Sequence, residues 1–280
     1  MALIVLNKVR ISSFIRKFSS KAKFVTVNVD DKSGVATLTL QRPPVNSLNL
    51  DLLGEISSSL TELGKSKCRG LILTSNAKTV FSAGLDLMEI YKPNADRLKN
   101  FWTTLQDTWI KLYGSSYPTV AVINGHAPAG GCLLSVSCEY RIMVKNYTIG
   151  LNETQLGLVA PKWFIVSMKN VVGQRRAEIA LTTGHLFKTD EAASIGLIDE
   201  IVENKEEGIA RAEKFLSKFK NIQPEARKIT KQHVREDTIK NMIKDRENDL
   251  NSFIQYAQDP KTQNYLEKYM ESLKAKSSKN

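Results

Sequence analysis

The chain has 280 residues, 42% of them hydrophobic and 25% charged, with a formal net charge of +11. That is enough apolar material for a sizeable core under an ordinary charged surface. No apolar run approaches the roughly 18 residues that a membrane-spanning helix needs. Cys68, Cys132 and Cys138 are odd in number and lack metal-ligand spacing, so they read as reduced thiols of an intracellular compartment.

Much of the positive charge stands at the start. Residues 1–23 carry Lys8, Arg10, Arg16, Lys17, Lys21 and Lys23, with apolar residues and serines between them, and no acid precedes Asp30. This is the pattern of a mitochondrial transit peptide over residues 1–18, with cutting expected after Phe18 and the matrix as destination. A basic arm for an acidic partner is the alternative.

Phe24–Val29 and Val35–Leu40 alternate with period two and read as a hairpin around the turn 30–34. Arg42-Pro43-Pro44 ends the second strand. A helix follows from about Leu50 to Leu63, its face marked by Leu52, Leu53, Ile56, Leu60 and Leu63, with Gly64 as the expected stop. Arg69–Ser75 is a strand, and Phe81–Leu87 is a turn in which Ala83-Gly84 permits close backbone approach. Asp86 sits where its carboxylate caps a short helix, a role favoured here over catalysis. Leu98, Phe101, Trp102, Leu105, Trp109 and Leu112 mark a helix over 94–114, with Asn94 as its N-cap.

The centre of the chain is Ile123-Asn-Gly-His-Ala-Pro-Ala-Gly-Gly-Cys132. The strand-like 118–123 leads into it, and 132–138 is small or apolar throughout, as a buried helix would be. Gly130-Gly131 therefore stands at a helix start, where free N–H groups and the positive dipole end suit negative charge on oxygen. Tight packing of helix on strand is the other use of such a pair. His126 is placed to line the entrance of this turn and receives no role.

Tyr140–Val144 and Tyr147–Leu151 read as short strands, with Asn152-Glu153 at the end of the second. Helices are expected over 174–183 and 189–195, stopped by Gly184 and Gly196, and a last strand over 198–202. From Glu206 onward the chain reads as charged amphipathic helices that pack on the body or on neighbouring subunits. The order of strand, turn and helix predicts an α/β spiral.

Four segments in order carry a resemblance: 43–48 (Pro-Pro-Val-Asn-Ser-Leu), 81–87 (Phe-Ser-Ala-Gly-Leu-Asp-Leu), 128–132 (Pro-Ala-Gly-Gly-Cys) and 150–157 (Gly-Leu-Asn-Glu-Thr-Gln-Leu-Gly). Together they resemble the crotonase (enoyl-CoA hydratase/isomerase) superfamily, from about Phe24 to the C-terminal helices. The resemblance implies a crotonase-like ββα spiral core over 24–203 and a C-terminal helical trimerisation region over 204–280. It implies an acyl-CoA substrate whose thioester oxygen meets the N–H groups of Leu85 and Gly130, within a binding stretch of Ala83, Gly84, Leu85, Asp86 and Leu87. It makes Glu153 the catalytic carboxylate, and it lays backbone groups of the Pro-Val-Asn-Ser-Leu segment, 44–48, against the adenine end of coenzyme A.

Hydratases of this family resemble the chain around Gly-Gly-Cys but carry a second glutamate directly after the cysteine. Here that position is Leu133, which cannot hold water, so one carboxylate is left to shuttle one proton. The resemblance thus implies isomerisation of a 3-enoyl-CoA to the 2-trans-enoyl-CoA, with hydration as the alternative. No metal, flavin or nucleotide cofactor is implied; coenzyme A arrives as part of the substrate. Some crotonase-fold proteins bind RNA through a lysine-rich helix, and Arg227, Lys228, Lys231 and Arg235 invite that reading. No stacking aromatics are interleaved with them, so a solvated face is expected instead and no nucleic acid is assigned.

Overall fold

The computed structural model describes residues 15–18 and 23–277, so most of the expected leader lies outside the described residues. Ile15–Phe18 forms strand β1, paired antiparallel with β2 (Val25–Asp30). β2 pairs antiparallel with β3 (Val35–Leu40), and the expected alternation is seen: Val25, Val27, Ala36, Leu38 and Leu40 are buried. Helix α1 (Leu50–Lys65) starts where the Asn49 side chain accepts from the Leu52 N–H. It does not stop at Gly64 as expected. Gly64 faces open space, and the helix runs on to Lys65 and is capped by Ser66, whose hydroxyl donates to the Leu63 carbonyl.

β4 (Gly70–Ser75) is buried along its whole length. α2 (Ala95–Tyr113) follows, with Asn94 capping the Arg97 N–H and all six stripe residues buried. Each large side chain of that stripe contributes about 1.5–3 kcal/mol by leaving water. Then come β5 (Thr119–Ile123), β6 (Ala127–Pro128), α3 (Gly130–Ser137), β7 (Tyr140–Val144) and β8 (Thr148–Gly150). α4 (Lys162–Val172) was not foreseen; α5 (Gln174–Thr183) ends on Gly184 as expected. After β9 (Phe187–Lys188), α6 (Thr189–Ser194) is closed by the Leu197 and Ile198 N–H groups on the Ala192 carbonyl. Those bonds delay the last strand, β10, to Glu200–Val202. The chain finishes in α7 (Lys205–Ser217), α8 (Pro224–Gln258) and α9 (Pro260–Ser277).

The strands form a seven-stranded sheet, ordered β1-β2-β3-β4-β5-β7-β10, and a small sheet, β6-β8-β9. From β3 to β10 the large sheet is parallel. The small sheet is prolonged by single parallel bridges, Leu48 with Leu85 and Val80 with His126. Each turn of the spiral thus repeats a long strand, a short crossing contact and a helix. Parallel strands are covered on both faces. The inner face packs on α1 to α4, and the outer face (Ile72, Val120, Val122, Ile142, Val144, Val202) packs on Ala212 and Leu216 of α7.

α8 departs from the expected solvated face. Arg227 and Lys231 pair with Glu139 at the end of α3, and Arg235 donates to the Tyr113 and Ser137 carbonyls at 2.7 and 2.8 Å. Lys231 is 8% exposed. Three of the four basic residues therefore dock the helix on the body; only Lys228 faces solvent, beside Glu225.

Candidate active site

The central turn delivers α3 through an unusual residue. Ala129 has φ 48° and ψ −120°, a left-handed conformation that costs a side-chain-bearing residue on the order of 1–3 kcal/mol. The surroundings hold it there: its N–H donates to the Gly150 carbonyl at 2.8 Å, and its carbonyl accepts the Leu133 N–H at 3.0 Å. Gly130 is then the first residue of α3, where the N–H has no acceptor within the helix. Gly131 serves packing. A Cβ there would stand 2.4 Å from the Ser82 carbonyl oxygen, so the helix can lie against the 81–87 loop only without one.

That loop is held mainly through Asn46, which is 1% exposed. Its amide donates to Ser75 Oγ and to the Phe81 carbonyl, its Oδ1 accepts the Arg42 N–H, and its carbonyl accepts the Ser82 hydroxyl. Ala83 donates its N–H to the Val45 carbonyl. In the Leu48–Leu85 bridge, the Leu48 N–H donates to the Gly84 carbonyl at 2.8 Å. The Gly84 carbonyl and the Leu85 N–H are opposite edges of one planar peptide, so the Leu85 N–H points away from Leu48. Gly84 has φ +90°, and a Cβ on it would come 3.1 Å from the Gly130 nitrogen. The amides of 85 and 130 thus belong to closely packed backbones. Leu87 opens a short 3₁₀ turn, Leu87–Glu89, and Asp86 caps it as expected: Oδ1 accepts the Met88 N–H at 3.1 Å, while Oδ2 pairs with Arg42 at 2.9 Å.

Glu153 opens a second 3₁₀ turn, Glu153–Leu156, directly after β8. It is 6% exposed, and neither carboxylate oxygen has a hydrogen-bond partner. Burial pushes it up to about 7 from 4.5, against a smaller downward pull from its own backbone N–H. It lies near the first turn of α3: the Cys132 thiol, raised chiefly by burial, is raised further by Glu153. Asn152 beside it is also buried, with an unpartnered Oδ1. A buried carboxylate without partners is costly to keep and contributes nothing to folding. Its environment suits a group that must both take and give a proton near neutral pH.

The structure therefore gathers 81–87, Gly130 and Glu153 around the start of α3. His126 is occupied otherwise: its Nδ1 accepts the Thr148 N–H, and its ring packs edge-on against Tyr147. Sequence reasoning passed over Asn46 as a loop anchor and Asn152 as a neighbour of Glu153, although both fall inside motifs already singled out. It also passed over the tyrosines of α8 and α9 that reach the Glu153 turn, Tyr256 to the Gly157 carbonyl and Tyr265 to the Gln155 carbonyl at 2.9 Å. Among the described residues no group of three or more His, Cys, Asp or Glu side chains could hold a metal ion.

Residues 30–280 match the family described as enoyl-CoA hydratase/isomerase. The mouse protein "Enoyl-CoA delta isomerase 1, mitochondrial" is 42% identical over 264 residues, covering 93% of this chain and 90% of that one. The human protein of the same name is 40% identical, covering 92% and 86%. The crystal structure of human mitochondrial delta3-delta2-enoyl-CoA isomerase superposes with a TM-score of 0.88 at 39% identity, covering 91% of this chain and 99% of that one. The mitochondrial designation of these relatives supports the mitochondrial location expected from the leader. On matching motifs, fold and family-wide coverage, the chain belongs to the enoyl-CoA hydratase/isomerase family of enzymes.

Proposed function

We propose that the enzyme converts 3-cis- and 3-trans-enoyl-CoA thioesters to 2-trans-enoyl-CoA in the mitochondrial matrix, during β-oxidation of unsaturated fatty acids. The observation that carries this reading is the Glu153 carboxyl, buried, unpartnered and pushed up to about 7. The thioester oxygen accepts from the Leu85 and Gly130 N–H groups. Glu153 takes a proton from C2, the electron pair spreads through C3 and C4, and negative charge collects on the oxygen. Two fixed donors stabilise that dienolate more than the ground state, and one such donor contributes on the order of 3 kcal/mol. Glu153 then returns the proton to C4, which leaves the double bond between C2 and C3.

Ala83, Gly84, Asp86 and Leu87 shape the binding stretch beside these donors. Leu133 stands where a water-activating carboxylate would be needed for hydration. The core is residues 24–203, and 204–280 form the helical region through which three copies associate. Coenzyme A enters with the substrate, and no separate cofactor takes part. The RNA reading is disfavoured because Arg227, Lys231 and Arg235 are committed to Glu139 and backbone carbonyls. A cut after Phe18 removes β1 and leaves β2 as the sheet edge.

The test follows 3-cis-hexenoyl-CoA to the conjugated 2-enoyl thioester by absorbance, in the protein lacking residues 1–18 and in its Glu153→Gln variant. Rapid conversion by the parent and a loss of about 10³-fold or more in the variant are expected. Crotonyl-CoA hydration or RNA binding, with no isomerisation, would overturn the reading.

A further inference from the structure

We propose that the C-terminal pair α8–α9 is a strap whose Tyr256, Gln263 and Tyr265 are positioning residues, fixing the Glu153 turn relative to the segment that follows Leu85. The proposal rests on the reading of Glu153 as the base and adds how that base is aimed.

The strap holds both segments. On the Glu153 side, Tyr256 donates to the Gly157 carbonyl and Tyr265 to the Gln155 carbonyl at 2.9 Å. Gly157, in a left-handed conformation at φ +64°, lies so close under the Tyr265 ring that a Cβ would come 2.9 Å from two ring carbons. On the other side, Gln263 donates to the Ile90 carbonyl at 2.9 Å and accepts the Lys92 N–H at 2.8 Å. Glu267 accepts from the Tyr91 hydroxyl at 2.6 Å and pairs with Lys92 at 3.1 Å. Ala257 and Leu266, fully buried in the main core, anchor the strap itself.

The end of α5 is the other support of the Glu153 turn: Thr154 Oγ1 donates to the Leu181 carbonyl at 2.8 Å, Gln155 Nε2 donates to the Thr183 carbonyl at 3.4 Å, and Gly184 lies so close that a Cβ on it would come 2.6 Å from Gln155 Cγ. A short 3₁₀ turn has weak internal hydrogen bonds, so its place is set from outside. A displacement of about 1 Å at a reacting group costs on the order of 10²-fold in rate. Of the turn's own residues only Glu153 is buried, and that burial is what raises it. The titratable group that senses Glu153 is the Cys132 thiol of α3. The charged groups of the strap side, Glu267 and Lys92, are turned to each other and to Tyr91.

The experiment compares the parent with Tyr265→Phe, the double variant Tyr256→Phe/Tyr265→Phe and Gln263→Ala, with the solvent-facing Lys268→Ala as control. The phenylalanines keep the ring packing and remove only the hydroxyls. Two readouts are taken: kcat and KM for 3-cis-hexenoyl-CoA, and the Glu153 titration midpoint from carboxyl ¹³C resonances, assigned by loss in Glu153→Gln. Expected for the double variant are a fall in kcat of about 10–100-fold with KM changed less than about threefold. Its Glu153 midpoint should move from about 7 toward 4.5 as water enters. Tyr265→Phe should show a smaller change of the same kind, and Lys268→Ala none. A lower melting temperature with an unmoved midpoint and kcat would make the strap merely structural and overturn the proposal. If the double variant fails to fold, the Tyr265→Phe midpoint decides alone. A midpoint that moves in a protein lacking isomerase activity sinks the isomerase reading and leaves the strap standing.

Discussion

Two glutamates flank β7 and β8, half-buried Glu139 before them and buried Glu153 after them, and they are built to opposite ends. Glu139, just after α3, receives Arg227, Lys231 at 2.8 Å and the Thr119 N–H at 3.1 Å. Burial works to raise it, but Lys231 and Arg227 outweigh that and hold it below the ordinary carboxylate range. Glu153, just after β8, has no hydrogen-bond partner on either oxygen, and burial pushes it up to about 7. One carboxylate is fixed in its charged form and ties α8 to the sheet. The other is left poised between its two forms, at the cost of some stability. The contrast lies entirely in what the surrounding backbone and helices bring to each.

The largest effect should come from breaking the paired one. Glu139→Gln leaves Lys231 buried without its counter-charge, and Lys231 is already pulled down to about 8 by burial. Removing one partner of such a pair costs about 3–5 kcal/mol. Chemical unfolding should show that loss, and adding Lys231→Met should restore much of it. A loss under about 1 kcal/mol in the single variant would mean that water screens the cluster.

The unpaired glutamate should give the reverse. Its folded value lies above its unfolded one, so its destabilising contribution is absent below about pH 4.5. That contribution grows as pH rises toward 7 and is complete above it. Glu153→Gln should therefore stabilise the protein at pH 8 by on the order of 3 kcal/mol at most, the buried amide retaining some desolvation cost of its own. The gain should vanish by pH 4.5. Melting curves across pH check the sign: a variant less stable than the parent at pH 8 would place a hidden partner on Glu153. In the parent, kcat/KM should fall as pH drops through about 7, because the proton-accepting form is lost.

How much of this was visible beforehand follows the same division. Local periodicity showed β2, β3, α1 and α2, and the motif around 150–157 singled out Glu153. The Glu139 cluster was invisible, because its partners stand about ninety positions away and meet only when α8 docks. α8 also buries few of its residues (Lys231, Met242, Leu250 and Ala257), so it shows no strong apolar stripe to be read as one long helix. α4 did leave a signal that went unused: Pro161 before it, Gly173 after it, and Trp163, Phe164, Ser167 and Met168 buried at helical spacing. Gly64 misled because a glycine near a helix end need not be the cap. Ser66 does that work through its hydroxyl.

Asp86 supplies the smallest and sharpest test, as a third carboxylate between these extremes. It stands beside Leu85, yet both its oxygens are taken, one by the Met88 N–H and one by Arg42. A carboxylate so engaged caps a turn and orients a loop. Asp86→Asn keeps the cap, since asparagine accepts the same N–H. It loses only a partly exposed ion pair, which contributes under about 1 kcal/mol. Asp86→Ala loses both, about 1 kcal/mol in total and a few degrees of melting temperature. The same change of carboxylate to amide should thus cost less than about tenfold in kcat at Asp86 and 10³-fold or more at Glu153. A loss of comparable size at both positions would mean that Asp86 shares the proton, and the site would then use two carboxylates rather than one.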